Sequence, residues 1–185
     1  MSFGFQDEIP LISNAIHKAL ITRNNKIIFF AAASNFGGNR KEMFPANHDS
    51  VISMRETNSR GSFSDTNPPV DPAGPVVFGT VGKEVPAAWL STVEGEIARS
   101  GTSVATAVAT GLAGIILGLL AAAPDMNLPL EVEKAWTKRG MEAIFRRLSN
   151  DMGNRTRFVT PIPFFTGKDP AATLLTAISD ACMSV

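Results

Sequence analysis

A run of twenty residues without a charge, from 104 to 123, is the feature that most limits how this chain can fold. Every residue in it is Val, Ala, Thr, Gly, Leu or Ile, and no charged residue occurs between Arg99 and Asp125. The run is long enough to cross a bilayer as a helix, and Gly114 and Gly118 have the spacing seen where transmembrane helices pack. It must therefore lie either in a membrane or in a protein interior.

The composition of this run favours the interior. Seven Ala, three Gly and two Thr make it only mildly hydrophobic. It has no Trp or Tyr, and no Lys or Arg flanks its C-terminal side, as they commonly do at membrane interfaces. We therefore predict a central helix over 102 to 122, buried on all sides, with no membrane as a partner. A membrane span stays the alternative.

The segments before this run predict an α/β fold. Apolar residues at helical spacing indicate an amphipathic helix over 8 to 22, and the continuous apolar run from 26 to 33 is typical of a strand buried on both faces. A helix followed by such a strand is one crossover unit of a mostly parallel sheet. Further strands are predicted at 51–54 and 76–78, and further helices at 130–149 and 171–182. Gly140 is expected to weaken the 130–149 helix by about 1 kcal/mol against Ala.

Charge and cysteine content exclude several classes of function. Seventeen Lys and Arg balance seventeen Asp and Glu, so the chain has no basic footprint for nucleic acid. Its one cysteine, Cys182, excludes an internal disulfide and a cysteine-rich zinc site. No carboxylate cluster specifies a calcium site, and we expect neither a metal nor a cofactor. The N-terminus has acidic residues and no positive segment, which is not the pattern of a secretory signal.

Two positions carry the residue types that acyl-transfer chemistry needs. Ser103 lies where a loop becomes the apolar helix, and the unpaired N–H groups of a helix N-terminus can hold a developing oxyanion. Asn35 follows the 26–33 strand, where α/β sheets bind ligands, and its amide could donate to the same oxyanion. Each position also has an ordinary interpretation, since Thr102 or Ser103 could cap the helix and Asn35 could serve a turn.

The order of these pieces resembles the subtilisin-like serine proteases, the subtilases. Five short motifs match in order between residue 1 and about residue 123: Met1-Ser2-Phe3-Gly4, Ala32-Ala33-Ser34-Asn35, Phe44-Pro45-Ala46 with the strand after it, Gly61-Ser62-Phe63-Ser64, and Gly101-Thr102-Ser103-Val104-Ala105-Thr106 with Gly111. The resemblance implies a three-layer α/β/α fold with a mostly parallel sheet, lacking the N-terminal part of that fold.

The resemblance also implies roles for individual residues. Ser103 would be the nucleophile, and Asn35 with the backbone N–H of Ser103 would form the oxyanion hole. A peptide or protein substrate would be the partner, and the residues implied in binding it are Ser2, Phe3, Gly4, Ala33, Ser34, Gly101 and Thr102. The match departs from the family after the serine, where Ala107-Val108 replaces the usual proline and its follower.

The catalytic acid and base of the family have no counterpart in this sequence. Subtilases use Asp, His and Ser in that order, and both Asp and His precede the segment that resembles Met1–Gly4. We interpret His17 as a solvated residue on the first helix and His48 as a residue of a surface loop. A missing N-terminal segment is therefore an expected partner.

These observations lead to two functional hypotheses. Residues 1–125 would be a partial catalytic domain of a serine endopeptidase, and 126–185 a C-terminal helical extension of the same domain. The alternative is a pseudoprotease module that binds a peptide or partner without cleaving it. Residues 130 to 165 faintly resemble the tails of subtilase domains in large intracellular fungal proteins, which favours an intracellular location.

Overall fold

The computed structural model describes residues 1–38, 40–87, 97–122, 130–166 and 168–185. The strands of its central sheet are β1 Phe29–Ala32, β2 Val51–Thr57, β3 Val77–Val81, β6 Ser149–Asp151 and β7 Thr156–Val159, and a separate pair is formed by β4 Val85–Ala87 and β5 Ile97–Arg99. The five strands of the central sheet lie in the order β1-β2-β3-β7-β6, in which β6 alone is antiparallel to its neighbour. The α-helices are α1 Pro10–Thr22, α2 Thr102–Ala121, α3 Lys138–Arg147 and α4 Pro170–Met183.

Strand β1 lies next to the start of the chain. The backbone of Met1 extends the sheet beside it, because the amino group of Met1 donates to the carbonyl of Phe30 at 2.5 Å and Ala32 N–H donates to the carbonyl of Met1 at 3.0 Å. On its other side β1 pairs in parallel with β2, with Phe29 opposite Val51. The carboxyl end of β1 therefore leads directly to Asn35.

Helices cover both faces of the sheet, and this confirms the predicted three-layer α/β/α fold. On one face Ile16 of α1 packs with Ala31 and Val51. On the other face residues of α2, α3 and α4 share one apolar core with Phe30, Ile52, Met54 and Phe78 of the sheet. Burial of this continuous core is the main source of stability for the fold.

The prediction that the apolar helix is buried on all sides is wrong. The inner face of α2 is buried, with its residues Ala109, Ala113 and Ile116 at most 3% exposed. Its outer face is open, with Ile115 64% exposed and Val108 36% exposed. By length and composition α2 could cross a membrane, but a core helix passes the same test. Contacts with the sheet cover one face of this helix only.

The helix predicted over 130–149 is divided into two. A 3-10 helix spans Leu130–Trp136, and α3 begins after Thr137, whose side chain accepts a hydrogen bond from Gly140 N–H at 3.1 Å. Threonine is a favoured N-cap residue because its oxygen satisfies an N–H of the first turn. Gly140 thus lies in the first turn of α3 and not in the middle of a longer helix.

Residues after 126 also contribute strands that the sequence did not reveal. Strand β7 pairs in parallel with β3, and β6 pairs antiparallel with β7 at the edge of the sheet. Each of these strands is four residues or shorter, so neither shows a clear apolar alternation. The predicted terminal helix over 171–182 is confirmed as α4.

Candidate active site

The side chain of Asn35 lies against the N-terminus of α2, although the two are far apart in sequence. The N–H of Thr102 donates to Oδ1 of Asn35 at 2.7 Å. Because only the amide oxygen can accept this hydrogen bond, the bond orients the amide and leaves its Nδ2 as a donor. Asn35 is exposed, so this donor faces a region that a ligand can reach.

Gly101 makes this close approach possible. Its φ of 138° lies in the region that L side chains rarely adopt. A Cβ placed on it would lie 3.1 Å from Nδ2 of Asn35. Glycine at this position therefore serves both the N-terminus of α2 and the packing of the amide against it.

Ser103 is the second residue of α2 and is partly exposed. Among the described residues no acceptor pairs with its N–H or with Nδ2 of Asn35, so two donors are available at this end of the helix. The positive end of the helix dipole adds to them. The Ser103 hydroxyl donates to the carbonyl of Ser2 at 3.4 Å. These groups can hold an anionic oxygen next to a serine hydroxyl.

The segment from Met1 to Phe5 forms a wall beside this pair. Phe5 exchanges two backbone hydrogen bonds with Phe44, at 2.8 and 2.9 Å. Within the described chain, the backbone groups of Phe3 and Gly4 have no backbone partner. Ser2 and Phe3 are exposed. An extended peptide could therefore pair with this edge.

The remaining residues predicted at the site are buried. Ala33 and Thr102 have no exposed surface, and Ser34 is 7% exposed. The N–H of Ala33 donates to Met54 and its carbonyl accepts from Met43. Ala33 and Thr102 therefore position the site through the backbone, and Ser34 keeps only a small exposed surface.

The two histidines of the chain lie together, on the other face of the sheet. The rings of His17 and His48 are 5.3 Å apart between centroids. His17 belongs to α1, whereas Ser103 lies in the first turn of α2 on the opposite face. Nδ1 of His48 accepts the N–H of Ser50 at 3.1 Å. Both imidazoles therefore lie across the sheet from the helix that carries Ser103.

The thiol of Cys182 is not a second nucleophile of this kind. Cys182 has no exposed surface and packs in the core around α4. Burial raises the pKa of this thiol above its ordinary value. The thiol therefore stays protonated near neutral pH, and a protonated thiol is a poor nucleophile.

A cavity opens beside Ser34, and none of its other lining residues belongs to a motif that pointed to the site. It has a volume of about 390 Å³ and is lined by Gln6, Ser34, Phe36, Arg40, Lys41, Glu42 and Met43. Its residues come from the segment after Gly4 and from the loop after β1, two parts of the chain that are only brought together by folding. Long-range assembly of this kind leaves no local pattern to find.

Asn35, Gly101 and Ser103 lie together in the structure, and all three come from the motifs that resemble the subtilases. The sequence profile of the subtilase family matches residues 1–149. The chain belongs to the subtilase family. The match extends past the boundary at residue 125 and ends where β6 begins.

Several solved structures have a similar fold. The prenylagaramide maturation protease PagA is 18% identical, with a TM-score of 0.62 over 97% of this chain and 58% of PagA. The PatG macrocyclase in complex with peptide is 18% identical, with a TM-score of 0.60 over 94% and 50% of the two chains. The self-cleaved protease domain of PatA is 18% identical, with a TM-score of 0.57 over 96% and 58%.

This subtilase therefore spans between half and three fifths of the chains it resembles. At 18% identity the likeness shows the fold. A search of curated proteins found no match.

Proposed function

We propose that this chain is the nucleophile-bearing part of a serine endopeptidase. Ser103 supplies the hydroxyl, and the N–H of Ser103 with Nδ2 of Asn35 forms the oxyanion hole. The observation that carries the proposal is the hydrogen bond from Thr102 N–H to Oδ1 of Asn35, since it holds the amide at the N-terminus of α2 and leaves Nδ2 able to donate to a ligand there.

The reaction would follow acyl transfer to serine. Oγ of Ser103 attacks the scissile carbonyl carbon, and its proton passes to a general base. The carbonyl oxygen becomes an oxyanion that accepts from the two donors. The amine leaves with a proton returned by the base, and water then releases the acyl group. A serine hydroxyl without such a base is a weak nucleophile near neutral pH.

The base and its acidic partner would come from residues outside this chain. Two observations support this step. The chain spans 58% of PagA and of PatA, and both of its histidines lie on the face away from Ser103. The outer face of α2 offers room for such a segment, since among the described residues no atom beyond the helix's own backbone lies within 4 Å of a Cβ placed on Gly111, Gly114 or Gly118.

Reassembly tests this proposal. The 185-residue chain by itself should label slowly or not at all with a serine-directed phosphonylating probe. Adding an upstream subtilase segment with its Asp and His should restore labelling. Ser103→Ala should abolish labelling in the reassembled form, whereas Ser100→Ala should label as the unchanged chain does. Rapid labelling of the chain by itself would contradict the proposal.

Variants of Asn35 separate its two roles. Asn35→Asp keeps an oxygen for Thr102 N–H but removes the donor, whereas Asn35→Leu removes both. Either should lower turnover of the reassembled enzyme by about 10²–10³, the loss known for one oxyanion-hole donor in a subtilase. Substrate binding should change little. If Asn35→Leu lowered turnover and Asn35→Asp did not, Asn35 would have a structural role and no role as an oxyanion donor.

A second candidate function is peptide binding without cleavage. It is favoured by the partner of the Ser103 hydroxyl, which donates to the carbonyl of Ser2 and has no imidazole beside it. In this case the open backbone edge at Phe3 and Gly4 would hold a peptide or partner. If the upstream segment binds but labelling is not restored, this second function is the correct one.

A further inference from the structure

The cavity beside Ser34 has an uneven distribution of charge. Arg40 and Lys41 bring two cationic side chains to its lining. Glu42 brings one carboxylate, but that carboxylate is engaged elsewhere: Oε1 accepts from the hydroxyl of Ser53 and lies 3.8 Å from Nη2 of Arg55. The charge presented to a ligand is therefore positive.

The Arg40 side chain is held at the mouth of the cavity. Its guanidinium carbon lies 5.2 Å from the centroid of the Phe36 ring. A cation stacked on an aromatic face loses fewer rotamers when it binds an anion, because it is already oriented. Arg40 is exposed, and its planar donors remain able to pair with a carboxylate.

The position of the cavity relative to the catalytic pair decides what can enter it. Ser34 lines the cavity and Asn35 follows it directly, while Gln6 lines it from the end of the Met1–Phe5 wall. Consider a peptide that lies along Phe3 and Gly4 and places one carbonyl between Ser103 and Asn35. The side chain of the peptide residue that owns this carbonyl would then lie beside the cavity. Met43 also lines the cavity and lies directly against Gly4, since a Cβ placed on Gly4 would be 2.9 Å from the Cβ of Met43.

We propose that this cavity accepts the acidic side chain of a bound peptide, at the residue whose carbonyl meets Ser103 and Asn35. Arg40 is the main residue that determines this preference, and Lys41 adds to it. The inference rests on the proposed peptide-binding function. It names the substrate class as peptides with Glu or Asp at that residue.

The test measures binding of four labelled peptides to the full 185-residue chain by fluorescence anisotropy. The peptides end in a C-terminal amide and differ only in their last residue, which is Glu, Gln, Lys or Leu. The Glu peptide should bind about tenfold more tightly than the isosteric Gln peptide, as expected for a charge-assisted Arg–carboxylate pair. The ratio should fall between about 50 mM and about 500 mM salt, because screening weakens exposed pairs.

Charge reversal gives the sharper result. Arg40→Glu should make the Lys peptide the tighter ligand, while Arg60→Glu, an equal charge change at an exposed residue outside the cavity lining, should leave the Glu preference intact. Equal binding of the Glu and Gln peptides, or a Glu preference that survives Arg40→Glu, would overturn this inference and leave peptide binding standing. Failure of all four peptides to bind the unchanged chain would overturn the proposed peptide binding itself, and this inference with it.

Discussion

Helices α2 and α3 lie on the same face of the sheet and share one core, yet their outer faces differ completely. The outward residues of α3 include Lys138, Arg139 and Arg146, as expected for a surface helix. The outward residues of α2 include Val108, Gly111 and Ile115, with no charge along the whole helix. Solvent therefore covers the outer face of α3, whereas α2 has the composition of a helix that is covered on both faces.

The largest effect is expected where α3 meets the sheet. Phe145 has no exposed surface, and its ring packs against Phe30 at 5.7 Å and Phe78 at 6.0 Å between centroids. Phe145→Ala should lower the free energy of unfolding by about 3–5 kcal/mol, because it leaves a cavity that rigid neighbours cannot fill. Urea unfolding measures this.

The matched control is Ile115→Ala on the outer face of α2, where the side chain is 64% exposed. It should change the free energy of unfolding by at most about 0.5 kcal/mol. A loss near that of Phe145→Ala would show that the outer face of α2 is already covered in solution.

Gly140→Ala in α3 comes next in size. A Cβ at this position would lie 1.9 Å from the carbonyl oxygen of Lys134, which belongs to the preceding 3-10 helix. The backbone must move, and we expect a loss of about 3 kcal/mol, the upper end for overpacking. Thermal or urea unfolding of the variant checks this. If Gly140→Ala instead raised the free energy of unfolding, the expectation from helix propensity, that Ala is more stable than Gly here, would be correct.

Gly140 shows why some of the structure could not be predicted from the sequence. Helix propensity alone makes Ala better than Gly by about 1 kcal/mol, and it carries no information on the carbonyl of Lys134. The same limit hid β7, whose partner β3 is more than 70 positions earlier. Strand β1 was predictable because it lies in a continuous apolar run, whereas β2 was predicted only over 51–54, because Arg55 and Glu56 interrupt its apolar pattern.

The residues of the candidate site were easier to predict from the sequence than the packing of the helix that carries Ser103. Asn35 and Ser103 stand in short motifs, so their roles could be hypothesised before their contact through Thr102 was known. The outer face of α2 could not be told from its inner face, since both carry Ala, Gly and aliphatic residues. Only the positions of the neighbouring strands and helices decide which face is buried.

Gly114→Ala in α2 should have the opposite sign to Gly140→Ala. In the part of the chain that the structure describes, no atom beyond the helix's own backbone lies within 4 Å of a Cβ at Gly114, so the substitution adds helix propensity at no steric cost. We expect the free energy of unfolding to rise by about 1 kcal/mol, measured by the same urea titration. If Gly114→Ala were destabilising, the outer face of α2 would have to be packed against something in the isolated chain.

The smallest effect on the isolated chain is expected for Ile115→Lys, and it separates folding from assembly. The side chain is 64% exposed, so the free energy of unfolding should stay within about 0.5 kcal/mol. Reassembly with an upstream segment would instead bury this position, and an unpaired buried ammonium is costly. Probe labelling of Ser103 in the reassembled form should therefore be lost. Leu11→Lys is the control, because Leu11 is 81% exposed on α1, across the sheet from α2, and should alter neither quantity. Labelling that survives Ile115→Lys would show that the segment completing the active site does not cover α2, and the bare outer face of this helix would then need another explanation.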